Sequence, residues 1–378
     1  MNSFNDAVKN LNFFVDNDIL NYSSTRNYDF GPNKRNNVSM LSKFISHRII
    51  SEYDVINTAL SKNSYSSIEK FIQEVFWRIY WKGWLEHRPL VWVDYYNFNH
   101  DSYDLETYHD AENANTKIDC FNHWMRELQD TNYLHNHTRM WFASVWIFTL
   151  KLPWELGANL FMKYLYDGDA ASNTLSWRWV AGLQTAGKHY VATSQNISKY
   201  TKQRFKPLNL HENAKPIHSD KLYNIEELKM FNNTKLNNSL IIFDNNLDSK
   251  NNKKLTDKYK NIYLLSLDND ARRIKLCEEV LSFKNLLLND YSNTMTNSKV
   301  LSSSELLSVI EKERSVDVLY PGIGENLSFI KKFSSTTTLN YIYNEKDLFC
   351  WKFSKKGFFN FKKNIPDILK KLLIIEDF

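Results

Sequence analysis

A helical domain followed by a parallel-sheet α/β domain is the fold class that this 378-residue sequence predicts, and three observations predict it. Up to about position 215, apolar residues recur at helical spacing with few β-branched alternations. From 237 onward, short β-type runs alternate with helical patterns, the order that builds a parallel sheet. Between the two lies a polar, Pro-containing stretch, KPLNLHENAKPIHSD at 206–220. The expected organisation is therefore a helical domain over 1–215, a linker over 216–236 and an α/β domain over 237–378. A soft prior of about 150 residues per domain leads to the same count.

Taken in order, the helical segments are SIEKFIQEVFWRIYWKGWLEH (67–87), CFNHWMRELQ (120–129) and RMWFASVWIFTLKL (139–152). The expected strands are LIIFD (240–244), IYLLSL (262–267), VDVLY (316–320) and LNYIY (339–343), with helical patterns in RRIKLCEEVLSFKN and ENLSFIKKF. The PGIGEN turn after VDVLY is not a GxGxxG dinucleotide fingerprint: Ser328 stands near the third glycine position, and no acidic partner follows a second strand at the right distance. It is read as a strand-to-helix turn.

Composition narrows the function classes. A chain with 43% hydrophobic and 24% charged residues folds into a globule. The apolar run from Met140 to Leu150 stops at Lys151, short of the roughly 18 residues a membrane span needs. The N-terminus lacks a basic-then-apolar signal, so a cytoplasmic protein is expected. Cys120, Cys277 and Cys350 are too few and too scattered for a disulfide framework, a zinc knuckle or a four-thiolate iron–sulfur cluster. Any redox chemistry therefore needs an organic cofactor. Eleven tryptophans stand out, and all but Trp351 lie between Trp77 and Trp179. The net charge of +5 hides a local feature: from Ala171 to His211 six basic residues (Arg178, Lys188, Lys199, Lys202, Arg204, Lys206) occur with no acidic one. Such a face attracts a polyanion.

Between Leu134 and Trp179, polar residues are concentrated inside an aromatic, apolar run. His135, Asn136, His137 and Arg139 face a cluster of Asp167, Asp169 and Asn173 about thirty residues later in the chain. Charges in such a setting must be paired or bound to something. A metal site from His135, His137, Asp167 and Asp169 is one arrangement; an Arg–Asp ion pair lining a cofactor pocket suits the mixed composition better.

The motifs LHNHTRM, YDGDAASNTLSWRW and FIQEVFWR, in their spacing and order, resemble the flavin-binding helical domain of the photolyase/cryptochrome family over roughly Ala7 to Phe205. The resemblance implies non-covalent FAD. It places Tyr22, Ser39 and Ser42 in the phosphate-binding loop, with Val38 where a Thr usually donates a hydroxyl. Arg78, Asn136, Arg139, Asp167, Asp169 and Asn173 match cofactor-pocket positions, Asn173 facing the flavin N5 and Arg139 with Asp167 forming the ion pair beside it.

On the substrate side, the resemblance puts Glu74, Trp77, Asn136, Met140 and Trp179 where cyclobutane pyrimidine dimers are held. Two indoles sandwiching a flipped base contribute roughly 1–3 kcal/mol each. Relatives acting on (6-4) photoproducts carry histidines where this chain has Asn136 and Met140. His137 replaces an Arg that contacts lesion-strand phosphate, which weakens DNA affinity or makes it pH-dependent. Trp177 and Trp154 match two of three electron-relay tryptophans. The surface position falls near Ala111, with Tyr108 or Trp124 as substitutes. Trp81, Trp84, Trp92, Trp141 and Trp146 are read as core.

Domain order departs from the family, whose α/β domain comes first. LIIFDNNLD resembles the first strand of that domain and GFFNFKKNIPDIL its strand-to-linker ending, so a relocated or permuted antenna-type domain is expected, with its chromophore unassigned. The resemblance thus implies light-driven repair of cyclobutane dimers in ultraviolet-damaged DNA by a monomer. The catalytic set would be Glu74, Asn173, Trp177 and Trp154, and Arg178, Lys188, Lys199, Lys202, Arg204 and Lys206 would meet phosphates. A cryptochrome-like photoreceptor is the alternative, and a helical nucleic-acid-binding module with a vestigial pocket the third reading.

Overall fold

The computed structural model describes residues 3–99, 103–185, 187–228 and 234–375; positions 229–233 of the expected linker lie outside them. The N-terminal part is helical. Ser3–Asn17 turns Ala7, Leu11, Phe14 and Val15 inward. Ser51 and Asp54 close a capping box that starts Glu52–Lys62. The 22-residue helix Tyr65–Glu86 runs through the centre of the molecule, and Pro89 opens the next, Pro89–Tyr96.

The single helix expected over 139–152 is divided. An α-helix, Asn136–Ser144, widens into a π-turn at Val145–Thr149 and stops. Lys151 then takes a left-handed conformation (φ 57°), and the chain resumes as Trp154–Tyr164 directly after Pro153. Proline cannot continue a helix that precedes it, which accounts for the break.

Five strands, β1 (Ser239–Phe243), β2 (Asn261–Leu265), β3 (Ser298–Leu301), β4 (Ser315–Leu319) and β5 (Thr338–Ile342), form one parallel sheet in the order β3-β2-β1-β4-β5. The order reverses direction between β1 and β4, which pair in parallel. Alternation along β1 separates two cores: Leu240 and Ile242 join the large core shared with the helical part, and Ile241 and Phe243 join the one beneath the outer helices.

Two elements differ from expectation. The helical pattern at 272–285 becomes helix only at Glu278. Arg272, Arg273 and Ile274 instead wrap the Glu325 carboxylate, which accepts from Arg272 Nη1 at 2.9 Å and from the Arg273 and Ile274 amides at 2.9 and 3.1 Å. β3 and the helix Ser303–Lys312 have no counterpart in the expected elements; the strand is four residues long, too short for a periodic signal.

After β5 the chain returns to the helical part. Glu345–Trp351 and Phe358–Lys362 pack on Tyr65–Glu86. The approach is close, since a Cβ on Gly83 would come within 2.5 Å of Trp351 Cδ1. Among the described residues, no helix is long and apolar enough to cross a membrane.

Candidate functional site

Asp169 opens the helix Ala170–Ala181: its Oδ1 accepts the Ala171 and Ser172 amides at 3.1 and 3.0 Å. Its other oxygen, Oδ2, takes Arg78 Nη2 at 2.9 Å. The cap therefore also joins this helix to Tyr65–Glu86. Two residues earlier, Asp167 Oδ2 accepts Arg139 Nη2 at 2.9 Å, while Arg139 Nε is held by the Leu134 carbonyl. Burial works against a charge on Asp167, but Arg139, then the Ser42 hydroxyl and Arg78, bring its pKa below the usual carboxylate range. Ser42 opens the short helix Ser42–Ser46, and Ser39 lies just before it in the loop.

Behind these pairs sits Glu52, fully buried and in reach of Arg48, Arg78 and Lys82. Burial raises its pKa, yet the three cations outweigh it and hold the carboxyl at about 2. This network was not legible in the sequence, because nothing in the spacing of Arg48 and Glu52 brings them to Arg78 on another helix. Arg48 also pairs with Asp347, from the segment after the sheet.

Asn173 is buried and donates from Nδ2 to the Ala158 carbonyl at 2.8 Å. One turn further, Trp177 packs edge-on against Phe161 and Trp146, at centroid distances of 5.0 and 6.4 Å. Gly157 makes room for it: a Cβ there would lie 2.3 Å from the indole. Trp154 stacks instead on Tyr95 at 5.5 Å, and Ala111 is fully buried. Of the two substitutes considered, Trp124 is buried against Trp141, whereas Tyr108 is half-buried and meets Trp146 edge-on at 5.9 Å.

Asn136 begins its helix exposed, and Met140, one turn on, is half-buried on the same face. Glu74 is half-exposed, 3.0 Å from Lys70 and 3.7 Å from Arg26. Trp77 is stacked on Phe358, and Trp179 on Tyr190. Tyr22 packs edge-on against Phe71 and Phe14, away from Ser39 and Ser42 in sequence but on the same helical body.

The four residues weighed for a metal do not converge. His135 Nδ1 accepts the His137 amide, and His137 Nδ1 meets the Asn27 carbonyl, while Asp167 and Asp169 take arginines. Among the described residues, no group of three His, Cys, Asp or Glu is placed to hold a metal ion.

In the basic stretch, Lys188, Lys199, Lys202 and Lys206 are exposed. Arg204 is tied to Asp29 through its carbonyl at 2.8 Å and its carboxylate at 3.3 Å. Arg178 departs from expectation: it is buried, with its guanidinium over Tyr223 and Trp154, because the helix register that exposes Trp179 turns its neighbour inward. It is not available to a phosphate.

A cavity of about 100 Å³ lies at the carboxyl ends of β1 and β4, against Lys82, Glu86 and Asp169. Its charged walls are paired internally, Lys284 with Asp244 and Arg272 with Glu325. No ligand is assigned to it.

Helices that carry two Arg–Asp pairs and a buried Asn beside a half-buried aromatic rim thus form one polar site in the helical part, and comparison with known proteins shows what it resembles. Residues 71–216 match a family model described as the FAD binding domain of DNA photolyase. A deoxyribodipyrimidine photo-lyase of Neurospora crassa is 30% identical over 191 residues, 47% of this chain and 30% of its own length. One of Streptomyces griseus is 33% identical over 150 residues, 39% of this chain and 32% of its own length. Each match thus spans about a third of the relative. Among solved structures, a class III photolyase from Agrobacterium tumefaciens aligns at 25% identity, covering 53% of this chain and 42% of its own, with a TM-score of 0.44. A Synechocystis cryptochrome aligns at 21% identity, covering 53% and 43%, with a TM-score of 0.47. Over residues 71–216 the helical half of the chain is thus similar to the FAD-binding domain of DNA photolyases.

Proposed function

We propose that the chain binds FAD without a covalent bond and uses light to split cyclobutane pyrimidine dimers in ultraviolet-damaged DNA. The residues present fit the cofactor. Around Arg78, Asp169 and Asn173, the buried atoms Arg78 Nε, Ser172 Oγ and Trp177 Nε1 have no hydrogen-bond partner among the described residues, and such atoms are costly unless a ligand or water completes them. Tyr22, Ser39, Ser42, Arg78, Asn136, Arg139, Asp167, Asp169 and Asn173 would hold it. FAD, when bound, supplies the light-driven electron that opens the cyclobutane ring.

The chain's own residues do the positioning. Arg139 stays protonated and Asp167 ionised, so the pair presents a fixed dipole that needs no reorganisation. Trp77 and Trp179 offer ring faces to a flipped dimer, Asn136 and Glu74 offer polar edges, and Met140 fills the space that a histidine takes in relatives acting on (6-4) products. Lys188, Lys199, Lys202 and Lys206 would meet the flanking phosphates. The observation that carries this reading is the coexistence of both Arg–Asp pairs with Glu74, Trp77 and Trp179 on helices that pack together.

One observation favours the second reading, a cryptochrome-like photoreceptor without repair. His137 is buried against the Asn27 carbonyl and Tyr190 rather than offered to phosphate. The expected division at 1–215, 216–236 and 237–378, the relocated antenna-type role of the α/β part, the cytoplasmic location and the monomeric state belong to the same proposal. Flavin absorption bands in the purified protein, followed by paired lit and dark assays on ultraviolet-irradiated oligothymidine, test it. Flavin with light-dependent repair supports the enzyme; flavin without repair selects the photoreceptor, and neither would sink both.

A further inference from the structure

Among the described residues, Trp77 and Phe358 form the closest ring stack: their centroids are 3.7 Å apart and their planes differ by 13°. Phe358 lies far along the chain, beyond the sheet, and is almost fully buried, whereas Trp77 is half-buried. We propose that Phe358 is a positioning residue for the lesion site, clamping the plane of Trp77 so that its other face is held ready to stack on a base.

Helix geometry decides which face is clamped. With about 100° of turn per residue, Glu74, Arg78 and Trp81 fall to one side of Trp77 and Phe76 and Tyr80 to the other. Phe358 comes from the Tyr80 side, meeting that ring edge-on at 5.4 Å. The side left to a ligand is the one bearing Glu74 and Arg78, the residues assigned to substrate and cofactor, where Trp81 meets the Trp77 ring only obliquely, at 5.0 Å and 42°.

The clamp is itself anchored at both ends. Before it, the Lys356 carbonyl accepts the Tyr80 hydroxyl at 3.0 Å. After it, Phe361 packs on Phe76 at 5.9 Å and Lys362 reaches Glu69 at 3.7 Å. A Trp side chain has two free torsions, and an unclamped indole would sample several planes before stacking. Holding one plane removes that ordering cost from the binding step. An aromatic pair contributes about 0.5–1.5 kcal/mol beyond burial, which sets the effect at up to roughly tenfold.

This inference rests on the assignment of Trp77 to the lesion site, and the experiment separates the two. Affinities for a dimer-containing and an undamaged oligonucleotide are measured for wild type, Phe358→Leu, Phe358→Tyr, Phe361→Leu and Trp77→Ala, with flavin content and Tm recorded for each. Phe358→Leu keeps an apolar side chain but not the plane. It should lower the preference for damage by about two- to tenfold while binding undamaged DNA as before. Phe358→Tyr should restore the preference. Phe361→Leu loosens the clamp's anchor without touching Trp77, so it should lower Tm and reduce the preference less than Phe358→Leu does. Loss of preference in Trp77→Ala with full preference in Phe358→Leu overturns the clamp alone, as does equal loss in Phe361→Leu. Full preference in Trp77→Ala overturns both the clamp and the lesion site on which it depends.

Discussion

Arg139 Nη2 lies 2.9 Å from Asp167 Oδ2, in a pair whose acid is almost completely buried and whose base keeps about a fifth of its surface in solvent. That asymmetry fixes what removal of either partner does. Asp167→Ala leaves a guanidinium with one wall of the pocket gone; breaking a buried pair in this way costs about 3 kcal/mol, the lower end of the usual range because Arg139 is partly hydrated. Purified Asp167→Ala should carry little or no FAD and melt several degrees lower. Full flavin occupancy with an unchanged Tm would show that the pair does not support the pocket.

A second relationship crosses from sheet to helix. The Tyr320 hydroxyl donates to Glu86 Oε2 at 2.7 Å and the Ile323 amide to Oε1 at 2.9 Å. Burial nevertheless pushes the Glu86 carboxyl up to about 7. A carboxyl whose folded pKa is raised holds its proton longer in the folded state. It therefore favours folding below its unfolded pKa and loses that contribution as pH rises through the folded value. The window runs from about 4.5 to about 7. Glu86→Gln stays neutral throughout, so its stability relative to wild type should rise across that window by about 3 kcal/mol and then level off. Parallel Tm-against-pH curves for the two proteins would overturn this.

If the chain repairs DNA as proposed, its substrate choice would follow from Asn136 and Met140, one helical turn apart. Neither is a titratable group, so acid catalysis toward a (6-4) product has no donor at these positions. Light-dependent repair is expected on a cyclobutane oligonucleotide and none on a (6-4) oligonucleotide. The reverse outcome would remove both residues from the substrate side.

How far the sequence led depends on the range of the interaction. Asp167, Asp169 and Asn173 share one loop and helix, and Arg139 belongs to a motif about thirty residues upstream; composition pointed to an Arg–Asp pair, and the family resemblance joined Arg139 to Asp167. The charge network of Glu52, Arg48 and Asp347, and the stack of Phe358 on Trp77, join segments whose meeting is set by how the C-terminal helices fold back over Tyr65–Glu86. No local pattern encodes that. Arg178 was misplaced for a related reason: charge along the chain was read as charge on the surface, yet helix phase turns Arg178 inward beside the half-exposed Trp179.

The exposed lysines remain for a prediction about DNA that depends on charge placement. Lys199 and Lys202 are exposed, each over a tyrosine ring, Tyr200 at 5.0 Å and Tyr28 at 4.6 Å, and neither has a carboxylate partner in an ion pair among the described residues. They are therefore free to release counterions when they meet phosphate, each adding about one unit to the slope of log affinity against log salt. Reversing both to Glu should weaken damaged and undamaged DNA alike and flatten that slope by about two. Trp179→Ala acts differently, because its ring stacks rather than pairs with charge: it should erase most of the preference for damage and leave the slope intact. Arg178→Gln should change neither, and should lower Tm instead, since its guanidinium is spent on Tyr223 and the Leu183 carbonyl. Titrations of a dimer-containing oligonucleotide at several salt concentrations read all three effects. An unchanged slope in the double reversal would place DNA on another face of the protein.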